Sequence, residues 1–550
     1  MILNNVENIG KSITQEQTFA SNGVNQTYSY ADNSLFFALI NSTYRDYYYR
    51  NVRINLQWYD GYVVGWHNIA NGIFSTRIGT SIVDGVANQV MGKSIIFKTA
   101  NRLESANKCL DFISNTWSKN CDLISNLFTS AKYTYATGTS LLKLNQSGKD
   151  LRLEPLRNDY FYYETDFKGN LVNVDCFLKA YVNTNSSNKE EEQINYFLVE
   201  NRSYQTMKKG EIITYFDQKE NKMVSKKFEC NQSNVPSVCY KVHRFVGQAT
   251  QNVNMAAMKV EKGLSWQDIP KRIQELIKND YSAIRVNEPI RLPFSDLGCE
   301  LVKRSRDTSV PNINVGVSLL TNIRAYLEEY ELANAFSVRD MWNGQGQVGV
   351  PKQLSIGDIN KVITPTVFSD NKMNYQLFDG DPDKQKPVIT QFELRVQEWA
   401  IKKDDILKKI ATTIGMSPKI IASYLSDSSM QKTATQIDSD DDSVIAFVER
   451  ERGNFEKPFN NLLKRVCRYY AFSDTVEVKF GTPNLISQET LIKNTDFLYQ
   501  NGYIDLRDAL SRINPDATEN ELDELERKAR KRQEEILMSQ PKEIDDYGSF

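Results

Sequence analysis

Asp438, Asp440, Asp441 and Asp442, in the run "DSDDD", place four carboxylates within five residues. Carboxylate oxygens are the ligands that hard divalent ions take, and a metal held by Asp440, Asp441 and Asp442 would make the chain a nucleic-acid enzyme. The plainer reading is a solvated first turn of a helix, where carboxylates favour the positive end of the dipole. Other chemistry-bearing patterns are weaker. "DGVANQVMGKSI" (84–95) ends like a phosphate loop, but the glycine needed five residues before Gly92 is Ala87, and the order reads helix, turn, strand instead of strand, loop, helix. "GQGQVG" (344–349) has dinucleotide-loop spacing but follows a helix, precedes Pro351 and has no βαβ unit around it, so it reads as a hairpin or loop. "DGDPDK" (379–384) puts Lys384 where a calcium loop needs glycine, and Thr390 where it needs glutamate.

The two histidines, His67 and His243, have no nucleophile partner evident in sequence. Seven cysteines are scattered without a CxxC pair. Zinc at Cys230, Cys239 and His243 has the spacing of no finger or ribbon, and free buried thiols in a reducing compartment account for them better. The chain is therefore expected to be no enzyme, with no catalytic residue, metal or cofactor.

What positions these residues is a long chain: 550 residues, enough for several domains, 40% hydrophobic, 25% charged, 11% aromatic, as in ordinary globular proteins. A net charge of −2 disfavours a surface that grips nucleic acid non-specifically, but not one that lets it pass. No apolar run reaches the roughly 18 residues of a membrane span, and MILNNVENIGK is not a signal peptide, so a cytoplasm-like space and no membrane partner are expected.

Residues 1–35 read as a mobile arm. Residues 36–135 read mainly as helix, with Leu103, Ala106, Leu110, Ile113 and Trp117 at helical spacing. Strands follow at 139–144 and 151–161, then 160–182 around a turn at Lys168–Gly169–Asn170. "NYFLVE", "EIITYF" and "VCYKVHRF" extend a strand-rich block over 184–262. Leu320, Ile323, Leu327, Tyr330 and Ala333 make an apolar stripe predicting a helix over 313–338. A proline-rich stretch, 339–389, precedes a second rod over 390–414 that carries Val396, Trp399, Ile406 and Ile410 and is stopped by Gly415. Val444 to Tyr470 predicts a third, longer helix containing Gly453 and Pro458, with a kink at the proline. "VEVKF" (476–480) reads as a strand. The remainder is helical, with Asp505 capping one helix and Thr518 to Glu521 forming a capping box for the next.

Between the second and third rods lies "SDSSMQKTATQIDSDDDS" (426–443), too polar for a core. Two rods with apolar stripes need neighbours, and closed cyclic symmetry lets one chain supply them repeatedly. The polar stretch would then border a water-filled axis.

This order resembles the portal proteins (head–tail connectors) of tailed double-stranded-DNA bacteriophages over roughly 45–540. "RINLQWYDGYVVGWH" with "SIVDGVANQVMGKSI" resembles the family's N-terminal helices and following turn. "ATGTSLLKL" and "LRLEPLRNDYFYYETDFKGNLV" resemble its wing strands. "IGMSPKII" and "QKTATQI" before the long helix resemble the end of the inner stem helix and the tunnel loop. The resemblance implies an α+β, multidomain portal fold: a wing over 36–312, stem helices at 313–338 and 390–414, a clip at 339–389, a tunnel loop at 415–433, a long kinked helix and return strand at 434–484, and a helical crown and tail at 485–550. Stem packing would fall to Leu320, Ile323, Leu327, Tyr330, Val396, Trp399, Ile406 and Ile410. Ser417, Lys419, Ser423, Ser426, Asp427, Ser428, Ser429, Gln431, Lys432, Thr433, Asp438, Asp440, Asp441 and Asp442 would line the tunnel. An acidic collar would weaken phosphate adhesion, since DNA affinity comes largely from lysine and arginine; Lys419 and Lys432 could make brief contacts.

The implied partners are sister copies, usually twelve to a ring, double-stranded DNA, terminase, neck or head-completion proteins, and major capsid and scaffolding proteins. The implied location is the capsid portal vertex, with assembly in the host cytoplasm. Another oligomeric virion component, a neck adaptor or internal head protein, stays open beside the metal-dependent enzyme.

Overall fold

The computed structural model describes residues 47–63, 66–67, 73–91, 95–99, 104–183, 193–217, 222–247, 259–281, 284–305, 315–343, 347–351, 375–378, 388–390, 395–416, 434–480, 488–514 and 519–539. In chain order, α1 (Arg53–Asp60) and α2 (Ile78–Met91) precede β1 (Ile95–Thr99). Next come α3 (Glu104–Asp111), a π-helical continuation Phe112–Trp117, and α4 (Leu123–Thr137). Strands follow: β2 (Thr139–Ser147), β3 (Asp150–Arg157), β4 (Phe161–Thr165), β5 (Leu171–Asn183), β6 (Gln193–Met207), β7 (Ile212–Asp217), β8 (Lys222–Lys227), β9 (Gln232–Gly247) and β10 (Lys259–Glu261). Then come α5 (Lys271–Asp280), β11 (Ile290–Arg291), β12 (Cys299–Lys303) and α6 (Arg324–Asn343). β13 (Gln347–Pro351), β14 (Tyr375–Phe378), β15 (Val388–Thr390), α7 (Val396–Ile414), α8 (Ala434–Tyr469) and β16 (Val476–Phe480) lead to α9 (Gln488–Gln500), α10 (Leu506–Ile513) and α11 (Glu519–Ser539). The architecture is α+β, as expected.

The chain divides into two compact units. One comprises Met1–Asn22, Ile54–Ile82 and Leu319–Met430; the other comprises Gly23–Arg53, Val83–Ser318 and Gln431–Phe550. The first is built on the pair α6 and α7, with a small sheet β14-β13-β15 in which β13 runs parallel to β14 and antiparallel to β15. In α1, Asn55 is buried because its amide bridges Thr321 Oγ1 (2.9 Å) and Arg324 Nε (2.9 Å), which ties the helix to the start of α6.

The second unit holds an eight-stranded sheet, β4-β5-β6-β9-β11-β7-β8 with β10 beside β9, and a three-stranded sheet β12-β2-β3. A two-stranded pair joins β1 to β16, Ile95 opposite Phe480, linking segments almost 400 residues apart in sequence. A buried charge network connects the first two sheets. Glu200 on β6 accepts from Arg202 (2.7 Å) and Lys143 of β2 (3.2 Å), and the Arg202 guanidinium also donates to the carbonyls of Leu144 and Leu297. Burial opposes the charge on Glu200, but Lys143 and Arg202 outweigh it and hold its pKa down to about 2. The helix α4 ends at Gly138, at φ 87°, and a Cβ there would stand 2.1 Å from the Gly316 carbonyl oxygen; the two backbones meet where only glycine fits.

Several sequence expectations need correction. The helix predicted over 313–338 begins only at Arg324 and runs to Asn343. Residues 315–318 are committed elsewhere: Val317 donates to the Arg304 carbonyl, and Ser318 Oγ to the buried carbonyls of Tyr135 and Ala136 at the end of α4. Leu320 and Ile323 therefore sit in the turn before the helix. The second rod starts at Val396, not 390, because 388–390 is a strand on β13. Residues 347–351 of "GQGQVG" and its extension are that strand; 344–346 lie outside the described residues. The region 262–312 gave no helix in sequence, yet α5 lies there, burying Ile273 and Ile277.

Candidate assembly and channel site

α6 and α7 pack antiparallel, because contacts near the end of one meet the start of the other. At the far end, Trp399 stacks on Phe336 (ring centroids 6.1 Å, 27°), and its indole N–H donates to Asp340 Oδ2 at 2.6 Å. Arg395 donates to the same carboxylate at 2.8 Å and lies over the Trp399 ring. Together the Trp399 hydrogen bond and Arg395 hold the Asp340 carboxyl below the ordinary range. Nearer the base, Lys402 pairs with Glu329 at 2.5 Å. Lys408–Asp404 and Lys409–Asp405 are pairs one turn apart on α7, exposed and individually weak.

α7 is closed by Gly415 in the left-handed region, φ 83°. Its N–H reaches Thr412 O at 3.1 Å while Met416 N reaches Ala411 O at 2.9 Å, a Schellman stop that satisfies the last carbonyls. The glycine read as a helix stop in the sequence has that role.

The apolar stripe is divided. Leu320, Ile323, Leu327, Ile406 and Ile410 are fully buried in a single chain, and Tyr330 is half-buried. The expectation that sister copies must fill the whole stripe is thus wrong for the base, where the paired helices and the rest of the same chain already cover it. Toward the far end the reverse holds. Val396, expected to pack, is 57% exposed; Ile401 is 70% exposed, Phe336 46% and Met341 49%. Trp399 is half-buried.

Of the expected tunnel residues, Ser417, Lys419, Ser423, Ser426, Asp427, Ser428, Ser429, Gln431, Lys432 and Thr433 lie outside the described residues. Asp438, Asp440, Asp441 and Asp442 fall on the first turns of α8, whose backbone is described and whose side chains there are not. Pro418, Ser487, Thr518 of the expected capping box, and the clip segment 352–374 also lie outside. Asp505 caps α10 as expected, its carboxylate accepting from Asp508 N–H at 2.7 Å.

α8 is 36 residues long with Pro458 inside it. It is pinned twice to the strand β12 and its flanks. Arg465 donates to Asp296 and Glu300, both at 2.5 Å, and Glu451 accepts from Arg304 at 3.2 Å. Nothing in the helical periodicity announces these pins. Neither does it announce His67, whose buried imidazole is paired with Glu331 of α6. His243 accepts at Nδ1 from the Gly263 N–H (3.0 Å) and lies apart from any metal set. Cys230 is exposed and Cys239 buried. Among the described residues, no group of three or more His, Cys, Asp or Glu is placed to hold a metal ion, and no helix is long and apolar enough to cross a membrane.

No protein-family model matches the chain, and no curated protein matches it. Solved structures similar to it include a chain from the neck of a native gene transfer agent (GTA) particle computed with C12 symmetry, at 11% identity and TM-score 0.37, covering 81% of this chain and 91% of that one. A chain from the virion of the native GTA particle matches at 11% identity and TM-score 0.37, over 84% of this chain and 99% of that one. A third, from the neck of the empty particle computed with C6 symmetry, matches at 12% identity and TM-score 0.37, over 81% and 92%. At that similarity the likeness says nothing about what this chain does.

Proposed function

We propose that the chain is the repeating unit of a portal ring in a tailed bacteriophage or related particle. On this reading, about twelve copies enclose a channel for double-stranded DNA at one capsid vertex and offer a platform for terminase, neck proteins, capsid and scaffold. The observation that carries it is the helix pair α6/α7. Its base is closed within one chain, while its far half leaves Phe336, Met341, Val396 and Ile401 in solvent. Exposed apolar side chains confined to one end of a paired rod fit burial against neighbouring copies. The order of elements supports it as well: helix, small sheet, antiparallel helix, glycine stop, polar segment, then a 36-residue helix and a return strand on β1.

In this scheme 415–433 forms the tunnel loop, Asp438 to Asp442 add an acidic collar, and no residue of the chain performs catalysis; the work of DNA movement comes from a separate motor. Shortening 420–432 would spare assembly and impair packaging. End-on images of the purified protein test the proposal directly. Rings with a central hole are expected; a stable monomer at high concentration overturns it. A neck adaptor or internal head protein remains the second reading, separated by labelling the unique vertex. A nuclease assay with magnesium, comparing the wild type with Asp440→Asn, Asp441→Asn and Asp442→Asn, separates the enzymatic one.

A further inference from the structure

The β4–β5 hairpin holds one phenylalanine almost wholly in water. Phe167 is 95% exposed. The turn beneath it is fixed: Asp166 Oδ1 accepts from the Lys168 N–H (2.9 Å) and Asn170 N–H (2.8 Å), Oδ2 accepts from the Asn170 side chain (2.9 Å), and Gly169 takes the left-handed φ of 85° that closes the turn. Lys168 Nζ stands 5.5 Å from the Phe167 ring centroid. A large aromatic displayed on a preorganised turn has the form of an interface anchor, with little ordering left to lose on docking.

The other side of the same sheet supplies a matching hollow. A cavity of about 580 Å³ is lined by Tyr215 and Phe216 of β7, Lys226 of β8, Arg291 of β11, and Leu292 and Phe294 after it. Its lining is mixed, aromatic and cationic side chains alternating with the polar Gln146 and Ser295, and Lys226 is only loosely paired to Glu229 at 3.8 Å. Around the turn, Glu164 and Asp166 outnumber the one cation, Lys168, which lies over the ring, so the knob is negative by one charge. In the strand order, β4 and β5 occupy one edge of the sheet and β7 and β8 the other. A closed ring requires such a pair of unlike surfaces, each copy presenting one to the neighbour on its left and the other to the neighbour on its right.

We propose that the Phe167 turn of one copy seats in the Tyr215, Phe216 and Phe294 cavity of the next copy, with Asp166 and Glu164 facing Lys226 and Arg291. The contact rests on the ring reading for its repetition, but it is a pairwise contact and can be tested alone. A photoreactive benzoylphenylalanine at position 167 of the full chain is mixed with isotopically heavy wild-type chain and irradiated. Because Phe167 is exposed, the replacement leaves the fold intact. Cross-links from light position 167 to heavy peptides covering 215–226 or 291–295 are expected, and the pair Lys226→Glu and Arg291→Glu in the heavy chain should lower their yield at least roughly tenfold, because both pairings become repulsions. Cross-links within one chain, to other peptides, to added host protein only, or none at all overturn the proposal. Counting subunits of the wild type by mass photometry separates the two ideas. Rings without this cross-link discard the contact and keep the ring, whereas the cross-link in open dimers keeps the contact and discards the ring.

Discussion

The Nε2 of His67 lies 2.5 Å from Oε2 of Glu331, with both side chains buried. His67 Nδ1 accepts the Val63 N–H at 2.7 Å, so the ring proton belongs on Nε2 and points at the carboxylate. Glu331 also accepts from Trp66 Nε1 (3.2 Å), Thr76 N–H (3.1 Å) and Thr76 Oγ1 (3.2 Å). One carboxylate on α6 thus gathers the donors of the stretch 66–76. Glu331→Ala should strand these donors and cost about 3–5 kcal/mol, while His67→Phe should cost about 1–3 kcal/mol. Amide exchange at 63, 67 and 76 is the measurement, because a chain of two units has no single unfolding free energy. Unchanged protection in Glu331→Ala would show that the carboxylate does not organise the segment.

Two glycines should respond oppositely to alanine. Gly138→Ala brings a Cβ to 2.1 Å from the Gly316 carbonyl in a left-handed backbone, and should cost more than about 1 kcal/mol. Gly453, inside α8 with open space around it, should gain roughly 0.5–1 kcal/mol from the same change. Melting temperatures of the two variants moving in the same direction would contradict this.

Much of the chain's local order is visible from its residues, and the reasons are physical. "VEVKF" is a strand at Val476–Phe480 because alternation needs only one buried face. Gly415 stops a helix because its own backbone freedom decides the matter. By contrast, the late start of α6 depends on Ser318 binding carbonyls of α4, a contact between residues some 180 positions apart that no local pattern encodes. Among site residues, the Leu320 to Ile410 stripe was legible as apolar, but not which half of it one chain covers. The deeply buried Lys143, Glu200 and Arg202 read in sequence as ordinary surface charges on alternating strand positions.

Removing the Glu200 anion leaves Arg202 without a carboxylate in a dry interior, while Lys143 keeps its pairing to Glu154 at 2.9 Å. Glu200→Gln should therefore destabilise the strand-rich unit by about 3–5 kcal/mol. Denaturant unfolding monitored on that unit checks it, and a loss below about 1 kcal/mol would mean that water or other acceptors reach Arg202.

Acid should weaken the same unit in two stages. Burial, with Lys241 and Lys262 nearby, pushes the His243 imidazole down to about 4. The unfolded chain then binds this proton more readily than the folded one, so stability is full above the ordinary histidine value near 6.5 and falls as pH drops toward 4. The contribution of Glu200, held down to about 2, is lost lower still, as pH falls below the ordinary glutamate range. His243→Gln should flatten the first stage only; an unaltered profile between pH 6.5 and 4 would place the first loss at another group.

At the far end of the helix pair, Ile401→Asp and Val396→Asp should leave the circular dichroism and melting of the isolated chain unchanged while preventing assembly beyond it. Trp399→Ala, which removes the Phe336 stack and a hydrogen bond from a half-buried position, should cost only about 1–2 kcal/mol. Mass photometry beside thermal melting reads both effects, and rings formed by Ile401→Asp would show that this surface stays in water.

The two ionic pins between α8 and β12 have a mechanical consequence. Glu451 and Arg465 are fourteen residues apart, about 21 Å along the helix axis, whereas Glu300 and Arg304 are about 13 Å apart along the strand. A sliding force on the helix meets both fasteners together, and neither can be released by rotating about the other. The two pins therefore bracket Pro458 and couple α8 to the strand region on both sides of that interruption.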